Sequence, residues 1–107
     1  MKVNYYLYRL TLADEYKVLG NWTEQTVQVI EQHKNFLMEL GRLGHLILAG
    51  RTDLDFEDKD LFGIALLKTN SLEEAAKLVS QDPAVINGIQ KAALFPYRSA
   101  MEFFDNF

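Results

Sequence analysis

The sequence predicts an α+β fold, a four-stranded antiparallel sheet with two helices on one face, and three observations carry that expectation. Apolar and tyrosine-rich runs without helix caps alternate with stretches whose apolar residues recur at steps of three and four, in the order strand, helix, strand, strand, helix, strand. At 107 residues, 49% hydrophobic and 24% charged, the chain has the length of one domain and enough apolar surface to bury a core. No internal repeat, low-complexity tract or linker divides it.

The elements follow in order. Val3 to Leu12, rich in Tyr and Leu with no cap at its start, reads as the first strand, and Asp14 to Asn21 as a polar connection. Thr23-Glu24-Gln25-Thr26 offers caps. From there Val27, Ile30, His33, Leu37 and Leu40, with Phe36 beside them, form the apolar stripe of a first helix that Gly41 and Gly44 stop. His45 to Gly50 and Leu61 to Lys68 read as strands two and three. Ser71-Leu72-Glu73-Glu74 is a capping-box pattern opening a second helix through Val79. Asp82-Pro83 begins a short helical turn closed by Gly88, and Ala92 to Tyr97 is the fourth strand. The order is the split βαββαβ arrangement of the ferredoxin-like fold.

Leu46-Ile47-Leu48-Ala49 and Ile64-Ala65-Leu66-Leu67 are apolar on both alternating faces, so both faces of the sheet need cover. Two helices cover one. The same face of a second subunit, packed at about 10 Å, covers the other, and a homodimer through the sheet face is expected.

Eleven Lys and Arg against fifteen Asp and Glu give a net charge of -4. Five of those acids and one base fall between Asp53 and Asp60, so that segment carries the whole excess and the rest of the chain is balanced. No basic patch is gathered for a phosphate backbone, which sets nucleic acid aside as a partner. The start, Met1 to Tyr6, lacks a secretory signal pattern, and the longest uncharged apolar run, Leu61 to Leu67, is too short to span a bilayer. With no cysteine there is no disulfide, thiolate nucleophile or Cys-ligated metal. A soluble, cytoplasmic protein is expected.

His33 stands inside the apolar stripe, between Ile30 and Leu37. It is either a core histidine donating to a backbone carbonyl or a general base or acid opening onto a pocket, where a carboxylate on its other nitrogen would fix the tautomer. Asp82 is the candidate partner, and as Asp before Pro it is also ordinary helix punctuation. His33 lies about ten residues into its helix, roughly 15 Å along the axis, so contact with Asp82 requires a late helix start or a chain that folds back. Arg51, after Gly50, is either an anion clamp or a solvated arginine paired with the nearby acids. His45 follows Gly44 in a turn and is expected exposed. Tyr6 and Tyr8 share a sheet face and could line a pocket with Tyr97, or belong to the core or an interface.

Phosphate loop, nucleophile elbow and paired metal-spaced histidines are all missing from the sequence. The alternation Asp53, Asp55, Glu57 suggests calcium, but the loop positions that require Gly and Glu hold Asp58 and Ile64, so no metal is expected.

Taken together, His33, the run Gly44-His45-Leu46-Ile47-Leu48-Ala49-Gly50, Phe62-Gly63-Ile64, Ser71-Leu72-Glu73-Glu74-Ala75, and Asp82-Pro83-Ala84-Val85 with Gly88-Ile89 resemble the YciI-like, or YCII-related, domain family. That family is related to the dimeric α+β barrel group, and the resemblance runs from Val3 to Tyr97. It implies a ferredoxin-like dimer and a pocket in which His33 and Asp82 form a catalytic pair. One characterised branch is similar to a lyase that removes hydrogen chloride from a chlorinated hydroxyquinol, a substrate not carried over here. Two features depart from the pattern: the acidity of residues 53–60, and the tail Arg98 to Phe107 with Phe103, Phe104 and Phe107, which could plug the pocket or pad a dimer contact.

The expected protein is a small dimer performing cofactor-independent proton transfer, an elimination or isomerisation, on a small organic molecule. His33 would be the base or acid, Asp82 its orienting carboxylate, and Arg51, Tyr6 and Tyr8 substrate-binding residues. The alternative is a non-catalytic binding or interaction module.

Overall fold

The computed structural model describes residues 4–101. The aromatic tail residues Phe103, Phe104 and Phe107 lie outside the described residues. The strands are β1 (Asn4–Leu12), β2 (Leu46–Arg51), β3 (Gly63–Thr69) and β4 (Gln90–Tyr97); the helices are α1 (Glu24–Arg42), α2 (Leu72–Ser80) and the single turn α3 (Pro83–Ile86). The sheet is antiparallel throughout, in the order β2-β3-β1-β4.

The alternation on β1 decides which face meets the helices. Tyr6, Tyr8, Leu10 and Leu12 are buried, as are Ala65, Leu67 and Thr69 on β3, and together with Leu40, Ala75 and Val79 of the helices they make the core. The intervening residues form the opposite face. Tyr5, Leu7, Ile64 and Leu66 are half-buried there, while Leu48, Phe95 and Tyr97 remain 38%, 46% and 41% exposed. The pairings Leu7 with Leu66 and Phe95, Tyr5 with Tyr97, and Leu48 with Leu66 join them into one apolar surface.

The threonine cap of α1 is reciprocal, with Thr23 accepting from the Thr26 N–H and Thr26 accepting from the Thr23 N–H. Two expectations for this helix are corrected. Val27 is exposed, and Thr26 and Val29 take its place, because Thr26 sits two helical turns before His33 on the same side. Gly41 does not stop the helix. Gly44, at φ +85°, does: its N–H bonds the Gly41 carbonyl and the His45 N–H bonds that of Leu40, a Schellman closure that leaves Gly41 inside the last turn.

Other boundaries shift for local reasons. The polar connection contains two short 3₁₀ turns, Asp14–Lys17 and Leu19–Asn21, pinned by the Trp22 indole N–H donating to the Tyr16 carbonyl at 2.7 Å. β3 begins at Gly63 because the Phe62 N–H is taken by the Thr52 hydroxyl of the loop. β4 starts earlier than expected because β1 extends far enough for Leu12 to pair with Gln90. A bulge in β2 pairs Leu46 with Leu67 and Leu48 with Leu66, leaving Ile47 outside the ladder. Among the described residues no helix is long and apolar enough to cross a membrane.

Candidate active site

Asp82 is the N-cap of α3, its Oδ1 accepting the Ala84 N–H at 2.9 Å with Pro83 at the first helical position. The same carboxylate is fully buried, accepts the Tyr8 hydroxyl at Oδ2, and places both oxygens 2.8 Å from Nδ1 of His33. Cap and partner are therefore one residue in two roles. The approach is not made by a late helix start, since α1 begins at Glu24; the chain reverses after α2 and seats α3 against α1.

Three donors converge on this carboxylate, so Nδ1 of His33 carries a proton and donates it to Asp82. Burial, then the hydrogen bond to Asp82, then the Asp82 charge, push the Tyr8 phenol far above the usual tyrosine range, which keeps it a donor. The only nitrogen of His33 left for other chemistry is Nε2. Its ring borders a cavity of about 720 Å³, within the size range of small-molecule sites.

The cavity lies between α1 and the helix-side face of the sheet. Trp22, Phe56 and Phe62 supply aromatic wall, Leu12, Ile30 and Leu37 aliphatic wall, and the polar groups include His33, Lys34, Arg51 and Gln90. The β2–β3 loop closes one side: Phe56 packs on Trp22 at 5.2 Å between ring centroids, tilted by 57°. The acidic segment therefore reaches the cavity through Phe56, and its five acids are not among the lining residues. Its acids are partly engaged locally, Asp58 accepting the Asp60 N–H and Glu57 the Leu19 N–H. Among the described residues no group of three or more His, Cys, Asp or Glu is placed to hold a metal ion.

Arg51 also lines the cavity, with its guanidinium 5.0 Å from the Phe56 ring centroid and 3.4 Å from the Leu54 carbonyl, neither partner a carboxylate. Tyr6 and Tyr8 are not among the cavity-lining residues. Both are buried beneath the helices, and Tyr97 lies on the opposite sheet face, so the three do not share a pocket wall. The expected substrate contact by Tyr8 is replaced by a contact to Asp82. His45 is half-buried rather than exposed, with Nδ1 3.3 Å from the Lys68 carbonyl and 3.8 Å from Glu74. Lys34 and Gln90 are the polar wall residues that sequence reasoning missed, because nothing local distinguishes a lysine on a helix or a glutamine at a strand start.

Residues 6–98 match the YCII-related domain. The match ends at the start of the aromatic tail. Among curated proteins none matches the sequence. Among solved structures the chain is similar to 5-chloro-2-hydroxyhydroquinone dehydrochlorinase (TftG) from Burkholderia phenoliruptrix, in complex with 2,5-dihydroxybenzoquinone, at a TM-score of 0.67 and 14% identity, covering 90% of this chain and 95% of that one. At that identity the likeness is one of fold.

Proposed function

The chain belongs to the YCII-related domain family, and from that premise we propose that it is an enzyme of small-molecule proton transfer, with His33 as the general base and acid and Asp82 as its orienting partner. The observation that carries this reading is the buried Asp82 carboxylate 2.8 Å from Nδ1 of a histidine whose ring borders a large apolar cavity. A histidine retained for packing gains nothing from facing such a space.

The chemistry follows from the tautomer. Nε2 takes a proton from an acidic C–H or O–H of the bound molecule, and the imidazolium that forms is held by Asp82, itself held by Tyr8 and the Ala84 N–H. The electron pair left on the molecule either expels a leaving group with its bonding pair, an elimination, or is reprotonated at another atom by the same imidazolium, an isomerisation. Neither path calls on a cofactor. The solved fold relative, by its name, is a dehydrochlorinase, which is in keeping with elimination chemistry on this scaffold.

The substrate class follows from the walls. Aromatic and aliphatic surface favours a flat apolar body, and the acids of the neighbouring loop offset the positive charge that Lys34 and Arg51 place in the wall, so a neutral ring compound fits better than a carboxylate. Arg51, stacked on Phe56, then serves as wall more than as anion clamp.

The proposal includes a homodimer through the open sheet face, supported by the apolar surface of Leu7, Leu48, Leu66, Phe95 and Tyr97. It includes a cytoplasmic setting, supported by the cysteine-free sequence alone.

The experiment is deuterium wash-in: a panel of neutral hydroxylated aromatics and cyclic enols is incubated with the protein in D₂O and followed by NMR. Exchange or elimination accelerated by the wild type and lost in His33→Gln is the expected outcome. Binding of panel members with no proton exchanged would make the protein a binding module.

A further inference from the structure

We infer that Gln90 is the residue that recognises the ligand's second polar group, hydrogen-bonding an oxygen on the same molecule whose proton His33 handles. This deepens the proposed function and rests on its reading of the cavity as the substrate site.

Gln90 opens β4 and pairs with Leu12, so its side chain shares the helix-side face with Leu12 and Leu10, and all three border the cavity. β2 supplies wall from the opposite edge of the sheet, which makes Gln90 the contribution of the far edge strand. Among the described residues its Oε1 is the only buried side-chain nitrogen or oxygen without a hydrogen-bond partner. Buried amides are nearly always paired, because an unpaired one forfeits the bonds it made to water. Its ladder partner Leu12 and its chain neighbour Ile89 are both buried apolar residues.

With no hydrogen bond to its Oε1 among the described residues, the amide gives up none there when it turns about its last torsion. It can offer the cavity Nε2 as donor or Oε1 as acceptor, and a hydroxyl on the ligand answers either. A charged carboxylate would draw on Lys34 or Arg51, which line the same cavity, whereas an amide pairs with neutral polar groups. The group that meets Gln90 is therefore a hydroxyl or carbonyl oxygen, on a ring whose other polar substituent is presented to Nε2 of His33.

The test uses a matched pair of probes, hydroquinone and p-cresol, which differ by the replacement of one hydroxyl with a methyl group. Affinities for the full chain are read from amide chemical shifts in NMR titrations at millimolar concentrations. The wild type is expected to prefer hydroquinone by about fivefold to tenfold. Gln90→Leu is expected to abolish that preference and bind p-cresol at least as well as the wild type does. The Gln90 side-chain NH₂ signals of the wild type, which need no variant, should move on adding hydroquinone. A preference that persists in Gln90→Leu overturns the inference, as do Gln90 side-chain signals that stay fixed up to the highest probe concentration. Because the readout is affinity, the inference can stand where turnover is missing. A Gln90-dependent preference found with no proton exchange would count against the catalytic reading alone.

Discussion

Both carboxylate oxygens of Asp82 lie 2.8 Å from Nδ1 of His33, although the two residues stand 49 positions apart in sequence. The pair joins the middle of α1 to the cap of α3, and Tyr8 completes it from the central strand, so the site is tied to the core rather than to a loop. Four consequences can be measured.

Asp82→Asn and Asp82→Ala should separate the carboxylate's roles. The alanine variant loses the α3 cap and leaves Tyr8 and His33 without an acceptor, which should cost about 3–5 kcal/mol. The asparagine variant keeps one acceptor oxygen and should cost about half as much. Urea denaturation midpoints give the order. Both variants should lose proton-transfer activity, the asparagine while still folded.

Tyr8→Phe should cost about 2 kcal/mol at neutral pH, the value of a hydrogen bond to a charged group. The gap should then close in alkali. In the folded state burial and Asp82 raise the Tyr8 phenol above its ordinary value of 10.0, so as pH rises past that value the unfolded wild-type chain gains ionisation that the folded one does not. Wild-type stability attributable to Tyr8 is therefore present below pH 10 and falls by about 1.4 kcal/mol for each further pH unit, a loss the phenylalanine variant escapes. Stability curves at pH 8 and about pH 11 measure it; parallel curves would contradict it.

Phe95→Lys should give a folded monomer. The residue is 46% exposed on the open face of edge strand β4, beside Leu7, and Arg9, Lys68 and Lys91 already place positive charge on that face, so a lysine adds repulsion across any pairing of two such faces. Sedimentation at micromolar concentration should show a dimer for the wild type and a monomer for the variant. A monomeric wild type would rule the dimer out.

Replacing Asp53, Asp55, Asp58 and Asp60 together by Asn should raise affinity for benzoate relative to phenol several-fold at low salt, and the gain should vanish near 0.5 M salt as screening shortens the reach of the loop's charge. Isothermal calorimetry or NMR titration reads the ratio.

The sequence carried the element order well because it is a matter of periodicity: β1 alternates through Tyr6, Tyr8, Leu10 and Leu12, and the helices are announced by Thr23 and Ser71. It carried less of what depends on phase or on tertiary contact. Val27 falls in the apolar stripe by its hydrophobicity and spacing, whereas the packed side of α1 buries Thr26 and Val29 and leaves Val27 exposed. Gly41 looked like a stop because the αL closure that requires glycine can be located only once Gly44 is seen at φ +85°. His33 and Asp82 were legible as a candidate pair, and the sequence leaves the route that joins them open between a late helix start and a chain that folds back, since the reversal after α2 is a matter of tertiary structure. Tyr8 was legible as a residue of the core or of a pocket wall, and it is a core residue; its bond to Asp82 was not legible, because a phenol long enough to reach a pocket is also long enough to reach a buried carboxylate. Gln90 left no trace, as what sets it apart is that its Oε1 has no hydrogen-bond partner among the described residues.

The central claim is that Asp82 holds the Nδ1–H of His33 and leaves Nε2 as the working nitrogen at the cavity wall. Long-range ¹H–¹⁵N correlation of the two histidine side chains, in their neutral form at alkaline pH, tests it directly. The result expected is a single Nδ1–H tautomer for His33 in the wild type, becoming a mixture in Asp82→Asn, with the Nε2 signal moving when hydroquinone is added. An Nε2–H tautomer for His33 in the wild type, or an Nε2 signal indifferent to the probe, would contradict it.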